Sequence, residues 1–120
     1  MNLHWLFAFG LTQLVEAPVY YRGLQRLGPK RPRVELALLA LLPSALTHPM
    51  LWFALFPPLY QAMGYWPSVV VSELIVWLVE AAVVLGLTRC APVKALAWAF
   101  GANLASVCIG FATSELFGWP

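Results

Sequence analysis

Four long apolar stretches dominate this 120-residue chain and limit what it can fold into. A helix needs about 20 apolar residues to cross the hydrocarbon core of a bilayer, and each stretch approaches or exceeds that length. Because every backbone polar group must be hydrogen-bonded internally in hydrocarbon, such stretches predict transmembrane helices. The predicted spans are residues 3–21, 34–57, 69–88 and 95–117.

The composition excludes most functions of soluble proteins. Hydrophobic residues make up 62% of the chain and charged residues only 10%, whereas a soluble domain carries about 25% charged residues. Nucleic-acid binding needs a basic surface and disorder needs a polar composition, and the sequence has neither. We therefore expect a single all-α domain, a polytopic membrane bundle of four helices. Its expected partner is the lipid bilayer, with no nucleic-acid partner.

All seven basic residues lie in two predicted loops, which predicts the orientation of the chain. Five lie between spans one and two, and Arg89 and Lys94 lie between spans three and four. Cytoplasmic loops are enriched in lysine and arginine, so both loops are expected to face the cytoplasm. The N-terminus, the loop at residues 60–68 and the C-terminus are then outside. Aromatic residues expected at the outer interface are Trp5, Tyr60, Tyr65, Trp66 and Trp119.

The cysteines and histidines do not indicate a cofactor. Cys90 lies in a predicted cytoplasmic loop and Cys108 lies inside span four, an arrangement unlike a disulfide framework or a metal pair. His48 is the one histidine expected near mid-membrane depth, and no nucleophile or metal-site motif accompanies it. We therefore expect no cofactor, no bound metal and no catalytic residue.

Ionisable side chains inside the predicted spans are the strongest functional signal. Glu16 lies in span one, and Glu73 and Glu80 lie seven residues apart on one face of span three. An acidic residue at the bilayer centre costs about 2.5–3.5 kcal/mol on insertion scales, so such residues are functional candidates by default. We therefore expect these glutamates to have hydrogen-bonding partners on other helices or to take part in the function of the protein.

Depth along the helix axes sorts the polar side chains into two layers. At a rise of about 1.5 Å per residue, His48 lies level with Glu73 in the outer half of the membrane. Asn103 lies level with Glu80 further in, with Glu16 near this inner layer. We expect Glu80 to face Asn103, and His48 to converge with Glu73 on an outward-opening polar pocket. Hydroxyl groups available to either layer are those of Thr47, Ser72 and Ser106.

Span two is interrupted by prolines. Pro43 and Pro49 each remove a helix hydrogen bond, and Pro49 is expected to bend the chain beside His48. Ser44 and Thr47 are placed to bond the opened backbone. Broken helices often line the binding sites of transporters, although proline also produces simple kinks.

Span four carries a stripe of small residues, Ala102, Ser106 and Gly110, spaced four residues apart. Residues at this spacing share one helix face. Small residues let neighbouring helices approach closely in membranes, so this stripe predicts a helix-packing face.

Several short motifs together resemble those of small uncharacterised bacterial integral membrane proteins. They are Glu16-Ala-Pro18, Leu46-Thr-His-Pro49, the Glu73 and Glu80 pair, and the segment from Asn103 to Gly110. The resemblance covers most of the chain. It implies a four-helix protein of the bacterial inner membrane and implies no activity.

Three classes of function remain open. A proton- or ion-linked transporter or channel would use the buried glutamates, His48 and Asn103, and with only four helices it would require a homo-oligomer or other membrane subunits. A non-catalytic accessory or assembly subunit of a larger complex would explain the small size and short loops. An intramembrane enzyme would use His48 with Glu73, or Glu80 with Asn103. The buried ionisable groups favour transport.

Overall fold

The computed structural model of the chain describes residues 3–118, and its regular elements are all helical. No strand occurs within this range, so the all-α prediction is confirmed there. Trp119 and the two chain ends, on which part of the predicted orientation depends, lie outside the described residues. The elements in order are α1 (Leu3–Leu27), α2 (Arg33–Pro49), a π-helical segment (Met50–Leu55), α3 (Phe56–Met63), α4 (Tyr65–Thr88) and α5 (Pro92–Phe117).

Three helices within residues 3–118 are long and apolar enough to cross a membrane. They are Arg33–Met63, which joins α2, the π segment and α3 into what we call the second long helix, together with α4 and α5. Large apolar side chains point outward from these helices, as at Leu38, Phe53, Leu78 and Phe100. A continuous apolar exterior is typical of a helix surrounded by lipid. The chain is thus compatible with a multi-pass helical membrane protein.

The prolines of the second long helix produce a widened turn. Pro49 has no N–H to donate, and the π segment follows it directly. In this segment the N–H of Phe56 bonds to the carbonyl of Leu51, five residues earlier, as in a π-helix. The helix then continues to Met63. The connection at residues 60–68, which the sequence predicts to be outside, is therefore shorter than predicted, with Gly64 alone between α3 and α4.

Gly64 makes this sharp connection possible. Its φ angle of 81° lies in a region that residues with a Cβ rarely adopt. The other connections are also short, residues 28–32 between α1 and α2 and residues 89–91 between α4 and α5. Short connections favour antiparallel neighbours, so successive long helices run up and down.

The four long helices form a ring. α1 packs against α2 and α5, and α4 packs against α5 and the second long helix, so α1 and α4 are diagonal. The packed core lies next to the two basic connections, and we call this end the packed half. The end next to Gly64 is the cavity half. The packed half is formed by Tyr20, Leu24, Leu36, Ala40, Ala81, Val84, Ala95, Ala99 and Ala102.

Close helix approach occurs in the packed half, at alanines of α5. Ala95, Ala99 and Ala102 are all fully buried. The predicted stripe overlaps this set only at Ala102. A Cβ at Gly110 would meet nothing within 4 Å, because this part of α5 borders a cavity.

Arg31 fastens the first basic connection to the bundle. Its guanidinium forms an ion pair with Glu35 at 2.8 Å and donates to the carbonyl of Leu87 at 3.1 Å. That carbonyl lies in the last turn of α4, where the helix dipole favours a positive charge. The connection is therefore held against the end of α4.

Gly23 allows the indole of Trp98 to lie directly on α1. The Trp98 Nε1–H donates to the carbonyl of Val19 at 2.7 Å. A Cβ at Gly23 would lie 2.3 Å from that nitrogen, which is closer than atoms can approach. Gly23 is therefore required by the contact between α1 and α5.

We predict that Gly23→Ala lowers the free energy of unfolding by about 1–3 kcal/mol, the usual effect of overpacking a buried site. Displacement of Trp98 would also break its hydrogen bond to α1. Thermal or denaturant unfolding of purified protein in detergent measures the loss. The matched control is Gly101→Ala, whose Cβ meets nothing within 4 Å. Equal stability of the two variants would contradict the prediction.

Candidate functional site

The helices surround a cavity of about 370 Å³ in the cavity half of the bundle. Residues from all four long helices line it. The structure brings together there every side chain that the sequence suggested for a polar pocket, namely Glu16, His48, Glu73, Glu80, Asn103 and Ser106.

Glu80 is the centre of a buried hydrogen-bond cluster at the base of this cavity. Its side chain is 1% exposed. The Tyr20 hydroxyl donates to it from α1, the Thr47 hydroxyl lies 2.5 Å away on α2, and the Asn103 amide donates at 2.8 Å from α5. The expected contact between Glu80 and Asn103 is confirmed. Glu80 thus links α4 to the other three long helices.

Sequence reasoning missed Tyr20 as a member of this cluster. A tyrosine beside a basic loop is typical of the aromatic belt at a membrane interface. The structure instead buries the Tyr20 ring completely and directs its hydroxyl to Glu80. The neighbouring sequence does not distinguish a tyrosine at the membrane interface from one buried in the bundle, because both would lie at the same depth.

Glu16 is the centre of a second buried cluster. The hydroxyls of Ser44 on α2 and Ser106 on α5 are hydrogen-bonded to its carboxyl, the second at 2.5 Å. Ser44 therefore bonds a side chain and not the opened backbone. Glu16 and Glu80 line the same cavity. The two clusters form one polar layer across the bundle.

The positions of two hydroxyl groups allow the carboxyl groups of Glu80 and Glu16 to be either protonated or ionised. The Thr47 hydroxyl lies beside Glu80 and also 3.1 Å from the carbonyl oxygen of Pro43. The Ser106 hydroxyl lies beside Glu16 and 3.1 Å from the carbonyl oxygen of Asn103. One hydroxyl has one hydrogen to donate. When it donates to the backbone, its oxygen can accept a hydrogen bond from the protonated carboxyl group, so both protonation states of the carboxyl fit the same heavy-atom positions.

Within residues 3–118, no lysine or arginine forms an ion pair with these carboxyl groups. Neither lysine nor arginine lines the cavity. Within residues 3–118 the one ion pair is Arg31 with Glu35, at the opposite end of the bundle. Glu73 is half-buried and receives no hydrogen bond from the described chain. The cavity is therefore acidic, with His48 as its one nitrogen base.

His48 lies in an aromatic cluster at the cavity wall. Its ring centroid is 5.3 Å from that of Phe9, 6.0 Å from Trp52 and 6.1 Å from Trp5. Its Nε2 is buried without a hydrogen-bond partner. His48 and Glu73 line the same cavity, as expected, but no hydrogen bond or ion pair within residues 3–118 joins them.

The described residues hold no cluster suited to a metal ion. Within residues 3–118 no group of three or more His, Cys, Asp or Glu side chains is arranged to bind one. Cys90 lies between α4 and α5 and Cys108 lies on the exposed face of α5, and both are free thiols. Comparison with protein-family models, curated proteins and solved structures gave no match to this chain.

We predict that Glu80→Gln folds with near-normal stability, whereas Glu80→Leu does not. A glutamine oxygen can accept from Tyr20 and Asn103 while its NH₂ donates to Thr47. Leucine would leave the Tyr20 hydroxyl buried without an acceptor, at about 1–3 kcal/mol, whereas Thr47 and Asn103 would keep the backbone carbonyls of Pro43 and Ala99 as partners. Thermal unfolding in detergent compares the two variants. Equal destabilisation by glutamine and leucine would mean that the cluster requires an ionised carboxylate.

Proposed function

We propose that this protein is a small transporter or channel that moves protons or another cation through the acidic cavity. The observation that carries this proposal is the convergence of Glu16, Glu73 and Glu80 on one cavity without a lysine or arginine. Uncompensated charge is unfavourable at membrane depth. The carboxyl groups therefore favour binding of protons or of a cation, and exchange of that cation is the chemistry of transport.

The hydrogen-bond geometry supports a proton as one of the ions moved. Thr47 and Ser106 allow Glu80 and Glu16 to gain or lose a proton without rearrangement of the surrounding atoms. Glu73 lies about two helical turns nearer the Gly64 end than Glu80, on the same side of α4. The three carboxyl groups together supply a stepwise path from the cavity half to the centre of the bundle.

The packed half supports a mechanism in which the cavity opens to the two sides of the membrane in turn, and not a continuously open pore. Tyr20, Val84 and Ala99 are fully buried next to the base of the cavity, and they close the route to the basic connections. Passage across the membrane therefore requires the packed half to open. Small shifts between helices are a common form of such a transition.

In our proposal all four long helices cross the membrane, with both termini outside. The positions of the basic residues support this orientation. α1 carries the buried Glu16, and its outward side chains are apolar, as at Leu3, Leu6 and Leu14. The resemblance of the chain to small bacterial membrane proteins supports the bacterial inner membrane as the location of the protein.

We further propose that the protein works as a homo-oligomer or with other membrane subunits. Four helices provide a cavity but little protein around it, and the broad apolar exterior offers surface for association. A role as an accessory subunit is the second candidate function. The full hydrogen bonding of Glu16 and Glu80 favours it, because buried polar clusters also hold helices together.

We predict that purified protein in liposomes mediates proton flux driven by a membrane potential. Glu16→Gln and Glu73→Gln each abolish this flux, because an amide cannot bind and release the proton, and His48→Ala abolishes it as well. An entrapped pH-sensitive dye reports the rate. The matched control is Glu115→Gln, an exposed residue of α5 outside the cavity wall, which retains the flux.

The same preparation separates transport from an accessory role. Absence of flux for protons, Na⁺ and K⁺ through the wild-type protein would contradict transport. Retention of the same co-purifying membrane partners by the Glu73→Gln and His48→Ala variants would then establish the accessory role.

We predict that the connection between α3 and α4 is outside and that between α4 and α5 is cytoplasmic. In a Cys108→Ala background, Met63→Cys should react with an impermeant maleimide in intact cells, because Met63 is exposed beside Gly64. Cys90 should react only after permeabilisation. Labelling of Cys90 in intact cells, with Met63→Cys protected, would reverse the orientation.

A further inference from the structure

One part of the cavity wall is polar, buried and unpartnered. Ser72 is 1% exposed and His48 is 7% exposed, and neither the Ser72 Oγ nor the His48 Nε2 has a hydrogen-bond partner. Glu73, next to Ser72 on α4, likewise receives no hydrogen bond within residues 3–118. We call these three residues the open triad. By contrast, the carboxyl groups of Glu16 and Glu80 are already bonded to neighbouring helices.

The Ser72 Oγ and the His48 Nε2 indicate a bound molecule, because buried polar atoms are almost always hydrogen-bonded. All three residues line the same cavity, from α2 on one side and α4 on the other. Together they present one carboxyl group, one hydroxyl and one imidazole nitrogen. A ligand that donates several hydrogen bonds and carries positive charge would satisfy them at once.

The rest of the wall determines what kind of cation fits. Aromatic side chains from Trp52, Phe56, Tyr65 and Phe111 line the cavity. Aromatic faces attract organic cations and provide apolar contact. A small inorganic ion would need several oxygen ligands in place of its water shell, and Glu16 and Glu80 are already engaged within the protein. The wall therefore favours an organic cation.

The cavity volume sets the size of this ligand. A volume of about 370 Å³ corresponds to about a dozen water molecules at about 30 Å³ each. It lies at the lower end of the range for small-molecule sites. An amine with one ring or a short alkyl chain falls within this volume.

We propose that the open triad binds the ammonium group of a compact primary or secondary amine, whose apolar body lies against the aromatic wall. The ammonium N–H groups donate to the Glu73 carboxylate, the Ser72 Oγ and the His48 Nε2. This inference rests on the proposed function in that it identifies the substrate class of the same cavity. It concerns equilibrium binding, so it is tested without measuring transport.

The test is equilibrium binding to the full-length protein in lipid nanodiscs. The probe is phenethylamine, which is an ammonium cation at pH 7, compared with the neutral isostere 2-phenylethanol and the anion phenylacetate. Calorimetry with subtraction of empty nanodiscs measures saturable binding, and tryptophan fluorescence reports occupancy near Trp52. We expect the ammonium to bind about tenfold more tightly than either analogue, as expected for a charge-assisted hydrogen bond.

Variants assign this binding to the open triad. Glu73→Gln should weaken ammonium binding about tenfold or more, and Ser72→Ala by a smaller factor. Glu115→Gln, the same chemical change outside the cavity, should leave the affinity unchanged. Equal binding of phenethylamine and 2-phenylethanol, or wild-type affinity in Glu73→Gln, would overturn the proposal.

A steric variant keeps the proposal testable if Glu73→Gln does not fold. Gly110 lines the cavity, and a Cβ there meets nothing within 4 Å, so Gly110→Leu would place an apolar side chain in the site without removing any of its polar groups. It should abolish ammonium binding. Gly101→Leu is the matched control on the same helix, because Gly101 is exposed and lies outside the cavity wall. Unchanged affinity in Gly110→Leu would contradict the proposed site.

Failure of this inference and failure of the proposed function give different results. Saturable ammonium binding without any flux in liposomes would leave the site in place and remove the transport role. Proton flux without ammonium binding would leave proton transport in place and overturn the amine as ligand.

Discussion

The burial of carboxyl groups inside a bundle of apolar helices is the constraint on which the rest of this structure depends. Each buried carboxyl must obtain hydrogen bonds from the protein, because the apolar surroundings offer none. Glu80 obtains them from three other helices, through Tyr20, Thr47 and Asn103. The same contacts therefore satisfy the carboxyl group and determine how the four helices are rotated against each other.

The polar layer divides the bundle into two halves of different character. In the packed half, small residues such as Gly23, Ala95 and Ala99 allow the helices to approach closely. Towards Gly64, aromatic residues and part of the π segment line the cavity between the helices. The carboxyl groups thus lie at the boundary between a packed region and a space that can admit an ion or ligand.

The second long helix shows how proline contributes to this arrangement without ending the helix. Pro49 interrupts the regular hydrogen-bond pattern directly after His48, and the π segment absorbs the change. His48 is thereby held at the cavity wall among aromatic rings, with its Nε2 unpartnered. The helix continues beyond the widened turn to Met63, so that Gly64 alone connects it to α4.

The sequence by itself determined the long apolar helices, the basic connections and the set of polar side chains that share the cavity. The depth of a residue follows from its position along one helix. Because Glu80 and Asn103 lie at the same depth on neighbouring helices, their contact was predictable. Only the tertiary structure decided that Tyr20 and Ser44 bond the glutamates, and that His48 and Glu73 do not meet within the cavity that they share. These contacts depend on the rotation of each helix about its axis and on the route of the chain through the π segment. The helix rotations and the route of the chain are both set by packing among all four helices. They cannot be predicted from the spacing of residues within a single helix.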